Sequence, residues 1–213
     1  MRPKIQVALD LVDKEEAIKI GRLVYNYVDF IELGTPLIKV EGLRALSIFR
    51  REFGDKVIVA DLKTMDTGYL EAKLAFEFGA DYTTVMGVSD IGTIEGVLRA
   101  SREYGRGVMV DLMNVRDEDW ITTIDELGPD YFVVHSGIDM QARGVSPFSE
   151  LRNLIKLGVK SKLGVAGGIN SENVGLLGGL PIDLIIVGGY ITKADDPELA
   201  AKKMYEAVSR LFE

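Results

Sequence analysis

The chain has 213 residues, 47% hydrophobic and 27% charged, which is enough apolar side chain to bury a sizeable core and excludes a disordered chain. It contains no cysteine, so a disulfide scaffold, a thiolate zinc site and a cysteine nucleophile are excluded, and histidine and carboxylates remain as the good metal ligands. The 33 acidic and 25 basic residues give a formal charge of −8, which argues against general affinity for nucleic acid or an anionic membrane surface.

In chain order, residues 1–4 lead straight into core-like sequence rather than a cleavable signal. No apolar run approaches the roughly 20 residues of a membrane span, so a soluble, cytoplasmic protein is expected. Short β-branched runs then alternate with segments of helical period. Strands are predicted over 6–10, 30–33, 57–62, 82–86, 108–112, 131–135, 163–166 and 184–187, and amphipathic helices over 14–27, 70–78, 93–104 and 197–211. Gly79, Gly105, Gly128 and Gly158 stand where a helix closes on a left-handed residue. No low-complexity linker divides the chain, so residues 1–213 are read as one domain. Strand-then-helix units with near-continuous apolar strands, buried on both faces, fit a single closed parallel (β/α)8 TIM barrel. A doubly wound open sheet is the alternative, but Ala8-Leu9-Asp10-Leu11-Val12, after the first strand, has none of the glycines of a dinucleotide fingerprint.

Nearly every predicted strand ends on a charged, polar or glycine residue: Asp10, Glu32, Asp61 with Lys63, Asp111, His135, Gly167-Gly168 and Gly188-Gly189. In a barrel these ends converge on the mouth that supplies catalytic residues. Alternation puts Asp61 and Lys63 on one side and Leu62 toward the helices. Glu32 and Asp61, from neighbouring strands, repel unless a cation or shared proton separates them; oxygen ligands of this kind suit Mg2+, and Lys63 is the alternative partner of both. Asp66, three residues on, is either part of the site or the cap of the next helix. His135, the only histidine, ends the apolar run Tyr131-Phe132-Val133-Val134, and its near-neutral titration suits proton transfer. The glycine pairs after the seventh and eighth strands let backbone N–H groups approach an anion at the recurrent phosphate site of such barrels.

Val7-Ala8-Leu9-Asp10, Glu32-Leu33-Gly34-Thr35-Pro36, Asp61-Leu62-Lys63-Thr64-Met65-Asp66, His135-Ser136-Gly137-Ile138-Asp139-Met140-Gln141 and Ala166-Gly167-Gly168-Ile169 occur in order along the whole chain. Together they resemble the 3-hexulose-6-phosphate synthase family of the orotidine 5'-monophosphate decarboxylase suprafamily. The resemblance implies a reversible, Mg2+-dependent condensation of formaldehyde with D-ribulose 5-phosphate to D-arabino-3-hexulose 6-phosphate. It implies Glu32 and Asp61 as metal ligands and His135 as the base at C1. Lys63 would neutralise developing charge, with Asp10 and Asp66 holding it charged and oriented, and Asp111 joins the catalytic set without an assigned step. The phosphate would lie on Gly167, Gly168, Gly188 and Gly189, and no organic cofactor is needed. Asp66 would reach the neighbouring subunit's site in a homodimer with shared sites.

Two sister activities share the Asp-x-Lys-x-x-Asp pattern. The 3-keto-L-gulonate 6-phosphate decarboxylases typically carry arginine where Ile138 stands and threonine where Ala166 stands. Orotidine 5'-monophosphate decarboxylases usually carry lysine at the place of Glu32 and arginine at that of Gly189. The resemblance therefore points to the synthase.

Overall fold

The computed structural model describes residues 2–212. Eight parallel strands pair in sequence order and β8 returns to β1, closing the barrel expected from the sequence. The strands are β1 Lys4–Leu9, β2 Phe30–Leu33, β3 Val57–Thr64, β4 Tyr82–Met86, β5 Gly107–Asp111, β6 Tyr131–His135, β7 Lys162–Ala166 and β8 Leu184–Val187. Outside them lie α1 Lys14–Val24, α2 Thr35–Glu41, α3 Arg44–Glu52, α4 Gly68–Glu77, α5 Ile91–Tyr104, α6 Glu118–Glu126, α7 Ile138–Gln141, α8 Phe148–Leu157, α9 Gly189–Thr192 and α10 Pro197–Leu211. Element ends shift by one or two residues, so that Asp10 falls just past β1 and β3 runs on to Thr64, and two connections differ further from the sequence reading. Residues 25–27 continue α1 only as a 3-10 turn, and β7 is followed by the short 3-10 segment Val174–Leu177 in place of a helix. Gly175, Gly178, Gly179 and Pro181 crowd that connection, and such residues do not sustain a helix.

The period-2 alternation of each strand divides the core in two. Ala8, Phe30, Val59, Met109, Tyr131, Val133, Ala166, Leu184 and Ile186 fill the barrel. Their chain neighbours, such as Val7, Ile31, Ile58, Val110, Phe132 and Ile185, pack against the helices, each contributing roughly 1.5–3 kcal/mol by burial. At the N-terminal ends Phe30 stacks on Tyr82 and Tyr82 meets Tyr131 edge-on, both with centroids 5.8 Å apart. These rings pack the end of the barrel opposite the mouth.

The same end carries a repeat. Asp29, Asp81, Asp130 and Asp183 stand just before β2, β4, β6 and β8. Their carboxylates accept from the backbone N–H of Ile5, Ile58, Val108 and Leu163 at 2.8–2.9 Å, which ties each even strand to its odd predecessor. Four further aspartates, Asp13, Asp90, Asp117 and Asp196, accept from first-turn amides of α1, α5, α6 and α10. Much of the acidic excess is therefore structural. Among the described residues no helix is long and apolar enough to cross a membrane.

Candidate active site

The strand-end residues meet at the mouth. Glu32, Asp61, Lys63, Asp111 and His135 line a 50 Å³ cavity with Asp10, Gln6 and Thr84. Neighbouring registers bring them together, since Ala8 faces Glu32, Met86 faces Asp111 and His135 faces Ala166.

Asp61 is buried and held on both oxygens. The Thr84 hydroxyl donates to Oδ1 and the Thr35 hydroxyl to Oδ2, each at 2.8 Å, and the Lys63 ammonium pairs with Oδ2. Burial pushes its carboxyl up, but the Lys63 charge and these hydrogen bonds outweigh burial and hold it below the usual range. The lysine reaches back because β3 bulges: its register on β4 shifts between Ala60 and Thr64 and Lys63 has φ 48°. Its N–H donates to the Thr84 hydroxyl at 2.9 Å, which fixes the turned backbone. Leu62 packs toward the helices, as alternation requires. Burial works against the Lys63 charge, yet Asp61, Glu32 and Asp111 raise its pKa above the lysine range. This is the reverse of the lowered pKa that a nucleophilic lysine requires.

Glu32 is the strained member. It is 6% exposed and accepts from the Gln6 amide at 2.8 Å. Burial, then the like charges of Asp61 and Asp10, push its carboxyl well above its ordinary value. Asp10 is shifted up as well, by burial and by Asp61. It fits because residue 34 is glycine: a Cβ there would lie 2.1 Å from Asp10 Oδ1.

His135 Nδ1 lies 2.6 Å from Asp111 Oδ2, and Asp111 Oδ1 accepts from Met113 N–H at 2.9 Å. The carboxylate is thus anchored, and it keeps the proton on Nδ1, which leaves Nε2 bare; the tautomer is inferred from this acceptor. Burial lowers the His135 pKa, but the hydrogen bond and charge of Asp111 prevail and raise it. Asp111 also lies 3.9 Å from Lys63 Nζ, so it faces both Lys63 and His135.

His135 and Asp10 also line a larger, 390 Å³ cavity with Gly167, Gly168, Gly188 and Gly189. Gly167 takes φ 109°, and a Cβ on it would stand 2.3 Å from the Ser136 carbonyl oxygen, so no other residue fits without moving the backbone. Gln141 and Asn173 brace the loop, donating to Ser136 O at 2.7 Å and Gly168 O at 2.8 Å. A third, 450 Å³ opening shares Asp10, His135 and Ile138 with the glycine-lined cavity and is also lined by Thr35, Lys63 and Arg143.

Asp66 is the expected site residue that the fold leaves apart. It is exposed beyond β3, and Oδ1 accepts from Thr67 N–H at 2.7 Å. The capping alternative does not take its usual form either, because Thr67 occupies the N-cap of α4 in a left-handed conformation. Gln6, Thr35 and Thr84, which bond the buried carboxylates, and Gln141, which braces the β7 loop, carry no charge and so no mark in the sequence that sets them apart.

The family model for the orotidine 5'-phosphate decarboxylase / HUMPS family matches residues 3–204. The chain belongs to this family. Within it, the chain is 38% identical over 206 residues to a protein of Staphylococcus epidermidis named 3-hexulose-6-phosphate synthase, covering 96% of this chain and 98% of that one. It superposes with a TM-score of 0.94 on the crystal structure of 3-hexulose-6-phosphate synthase from Salmonella typhimurium, at 39% identity over 97% of this chain and 99% of the other. The crystal structure of 3-keto-L-gulonate-6-phosphate decarboxylase from Vibrio cholerae has a TM-score of 0.87 at 27% identity, with 100% of each chain covered. Structures named for the synthase and for its decarboxylase alternative thus share this fold, and the two positions that separate them in the sequence reading, Ile138 and Ala166, both line the cavity of the glycine pairs.

Proposed function

We propose that the chain is a cytoplasmic 3-hexulose-6-phosphate synthase, which joins formaldehyde to D-ribulose 5-phosphate. The observation that carries this reading is the position of His135. It stands between the glycine-lined cavity and the buried charges of Glu32, Asp61 and Lys63, with Nδ1 committed to Asp111. A pentulose phosphate with its phosphate on the glycines then presents its carbonyl end to the charged cavity. Nε2 removes the C1 proton, the enediolate carbon attacks formaldehyde, and the imidazolium returns its proton to the new alkoxide oxygen. Lys63, held charged, faces the developing negative oxygen. Asp111 keeps the base in the working tautomer.

Among the described residues no group of three or more histidine, aspartate and glutamate side chains is arranged around one metal position. The residues fit Mg2+ as a two-carboxylate site. Glu32 is buried against Asp61 and Asp10 with an amide for a partner, and Gln6 Oε1 beside it is buried with no hydrogen-bond partner. Glu32 and Asp61 would hold the ion, with water and substrate completing its shell. When bound, Mg2+ supplies Lewis-acid stabilisation of the enediolate. We further propose a homodimer in which exposed Asp66 serves the neighbouring subunit's site.

Purified protein assayed with ribulose 5-phosphate and formaldehyde should form the hexulose phosphate, and faster than it decarboxylates 3-keto-L-gulonate 6-phosphate. The ordering follows from Ile138 and Ala166, and preferred decarboxylation would refute it.

A further inference from the structure

The glycine-lined cavity has a charge problem. A sugar phosphate carries about −1.5 to −2 charges at neutral pH, the chain itself carries −8, and one of the side chains lining the cavity is the Asp10 carboxylate. Glycine amides offer hydrogen bonds but no net charge. His135 is the working base and must be neutral when it acts. Lys63 is committed to Asp61 in the smaller cavity. Among the described lining residues, a single lysine or arginine remains, Lys193, just past α9.

Its placement is specific. The stem of Lys193 lies along the backbone of Gly189, where a Cβ would stand 3.7 Å from its Cδ and 3.8 Å from its Cε. These are ordinary contact distances, and they place the lysine stem beside the cradle. The segment is held in place from both ends. Lys193 N–H donates to Gly189 O at 3.1 Å, and the neighbouring Tyr190 hydroxyl meets the Ser171 hydroxyl at 2.8 Å, linking the β8 loop to the β7 loop. Among the described residues Lys193 forms no ion pair; its charge acts on Asp10 without touching it, so the ammonium is open to a ligand.

We propose that Lys193 is the cation of the phosphate site, reaching over Gly189 to pair with the phosphate oxygens that the glycine amides bind. This rests on the phosphosugar reading above and adds to it the residue that selects phosphorylated over free sugars. An exposed ammonium at the rim acts twice: it offsets the repulsion from Asp10 and from the acidic chain as the dianion approaches, and it donates charge-assisted hydrogen bonds once the phosphate is seated.

The test is calorimetric titration of Lys193→Met, Lys193→Arg and wild type without formaldehyde, using ribulose 5-phosphate, inorganic phosphate and unphosphorylated ribulose as probes. Lys203→Met, on exposed α10 and outside the cavity, controls for net charge. We expect Lys193→Met to weaken both phosphate probes about tenfold, Lys193→Arg to retain most of the affinity, and Lys203→Met to change it less than twofold. Affinity for ribulose should be the same in all variants. The difference between wild type and Lys193→Met should narrow in 0.5 M salt, as screening requires. Wild type that binds both phosphates while Lys193→Met binds them equally well overturns the role of Lys193 and leaves the synthase reading intact. Wild type that binds neither phosphate overturns the phosphosugar reading itself.

Discussion

Asp111→Asn is a change of one atom, and the structure makes its consequence specific. The aspartate accepts at both oxygens, from Met113 N–H and from His135 Nδ1. An asparagine has one acceptor. If its oxygen stays on Met113 N–H, the amide NH2 faces His135 Nδ1, which must then accept, and the imidazole proton moves to Nε2. That is the atom that has to be bare to take a proton from the substrate. The variant therefore keeps its fold but presents the wrong tautomer, and proton abstraction should slow by about 10²- to 10⁴-fold, the range for losing a general base outright. The assay is exchange of the C1 proton of ribulose 5-phosphate with deuterated solvent, followed across pH without formaldehyde.

Wild-type exchange should rise with pH through the titration of His135, which lies above the ordinary histidine value of 6.5 because Asp111 prevails over burial. Without the carboxylate the rising limb should move to lower pH, while the plateau stays depressed. Stability gives an independent reading. A histidine whose pKa is raised on folding stabilises fully below its unfolded pKa and loses that contribution as pH rises through the folded value. The deficit of Asp111→Asn against wild type should accordingly be largest below the ordinary histidine value of 6.5 and shrink above the His135 titration. A variant that keeps more than a tenth of the plateau rate, or whose limb does not move, refutes the dyad.

Glu32→Gln removes a buried carboxylate that faces two others, so the metal-free protein should melt roughly 3–10 °C higher at pH 7.5. The same variant should show no Mg2+-dependent rise in melting temperature, and chelation should abolish C1 exchange in wild type; a lower melting temperature or exchange that survives exhaustive chelation would contradict the assignment of Glu32. Gly167→Ala forces a side chain into φ 109° and against Ser136 O; it should cost at least about 2 kcal/mol, or roughly 4–8 °C of melting temperature, and weaken inorganic phosphate binding, whereas a neutral outcome would show that the loop is soft. Asp66→Ala and His135→Asn should each inactivate the enzyme, and refolding the two together should restore about a quarter of wild-type activity, because half the dimers are mixed and each mixed dimer has one intact site; no recovery from demonstrably mixed dimers would return Asp66 to its own chain.

The mouth was legible because charge interrupting an apolar run is costly and therefore conspicuous. Asp61, Lys63, Asp111 and His135 all declare themselves in this way, and the glycine pairs do so by position. Neutral partners are not conspicuous. Gln6 and Thr84 sit inside strands where a polar residue of their size blends into the alternation, and Thr35 reads as the start of a helix. The pairing of His135 with Asp111, 24 positions apart in the chain, depends on the register of β5 against β6, which the intervening sequence does not reveal. The bulge at Lys63 leaves no local mark, since lysine is not a residue that favours positive φ. A signal that could have been used is the repeat of aspartate before an apolar or aromatic residue in Asp29-Phe30, Asp81-Tyr82, Asp130-Tyr131 and Asp183-Leu184. Asp10-Leu11, Asp61-Leu62, Asp90-Ile91 and Asp111-Leu112 have the same form, so the repeat stands out only once the strands are placed.

The two ends of the proposed site are unbalanced in opposite ways, and this supports the orientation assigned to the substrate. Around the small cavity stand the carboxyl groups of Asp10, Glu32, Asp61 and Asp111 against one ammonium, that of Lys63. With every carboxyl ionised, negative charge outweighs positive four to one; burial first, and then the like charge of Asp61, pushes Glu32 and Asp10 up. A phosphate dianion would make that deficit worse, whereas a divalent cation relieves it. At the other end Asp10 is the one carboxylate, and the neutral glycine loops and Lys193 offer an anion what the crowded carboxylates of the small cavity deny it. A phosphosugar bound as proposed therefore has one favourable orientation, phosphate toward β7 and β8 and carbonyl toward β2 and β3, which would set the carbon that loses its proton beside His135.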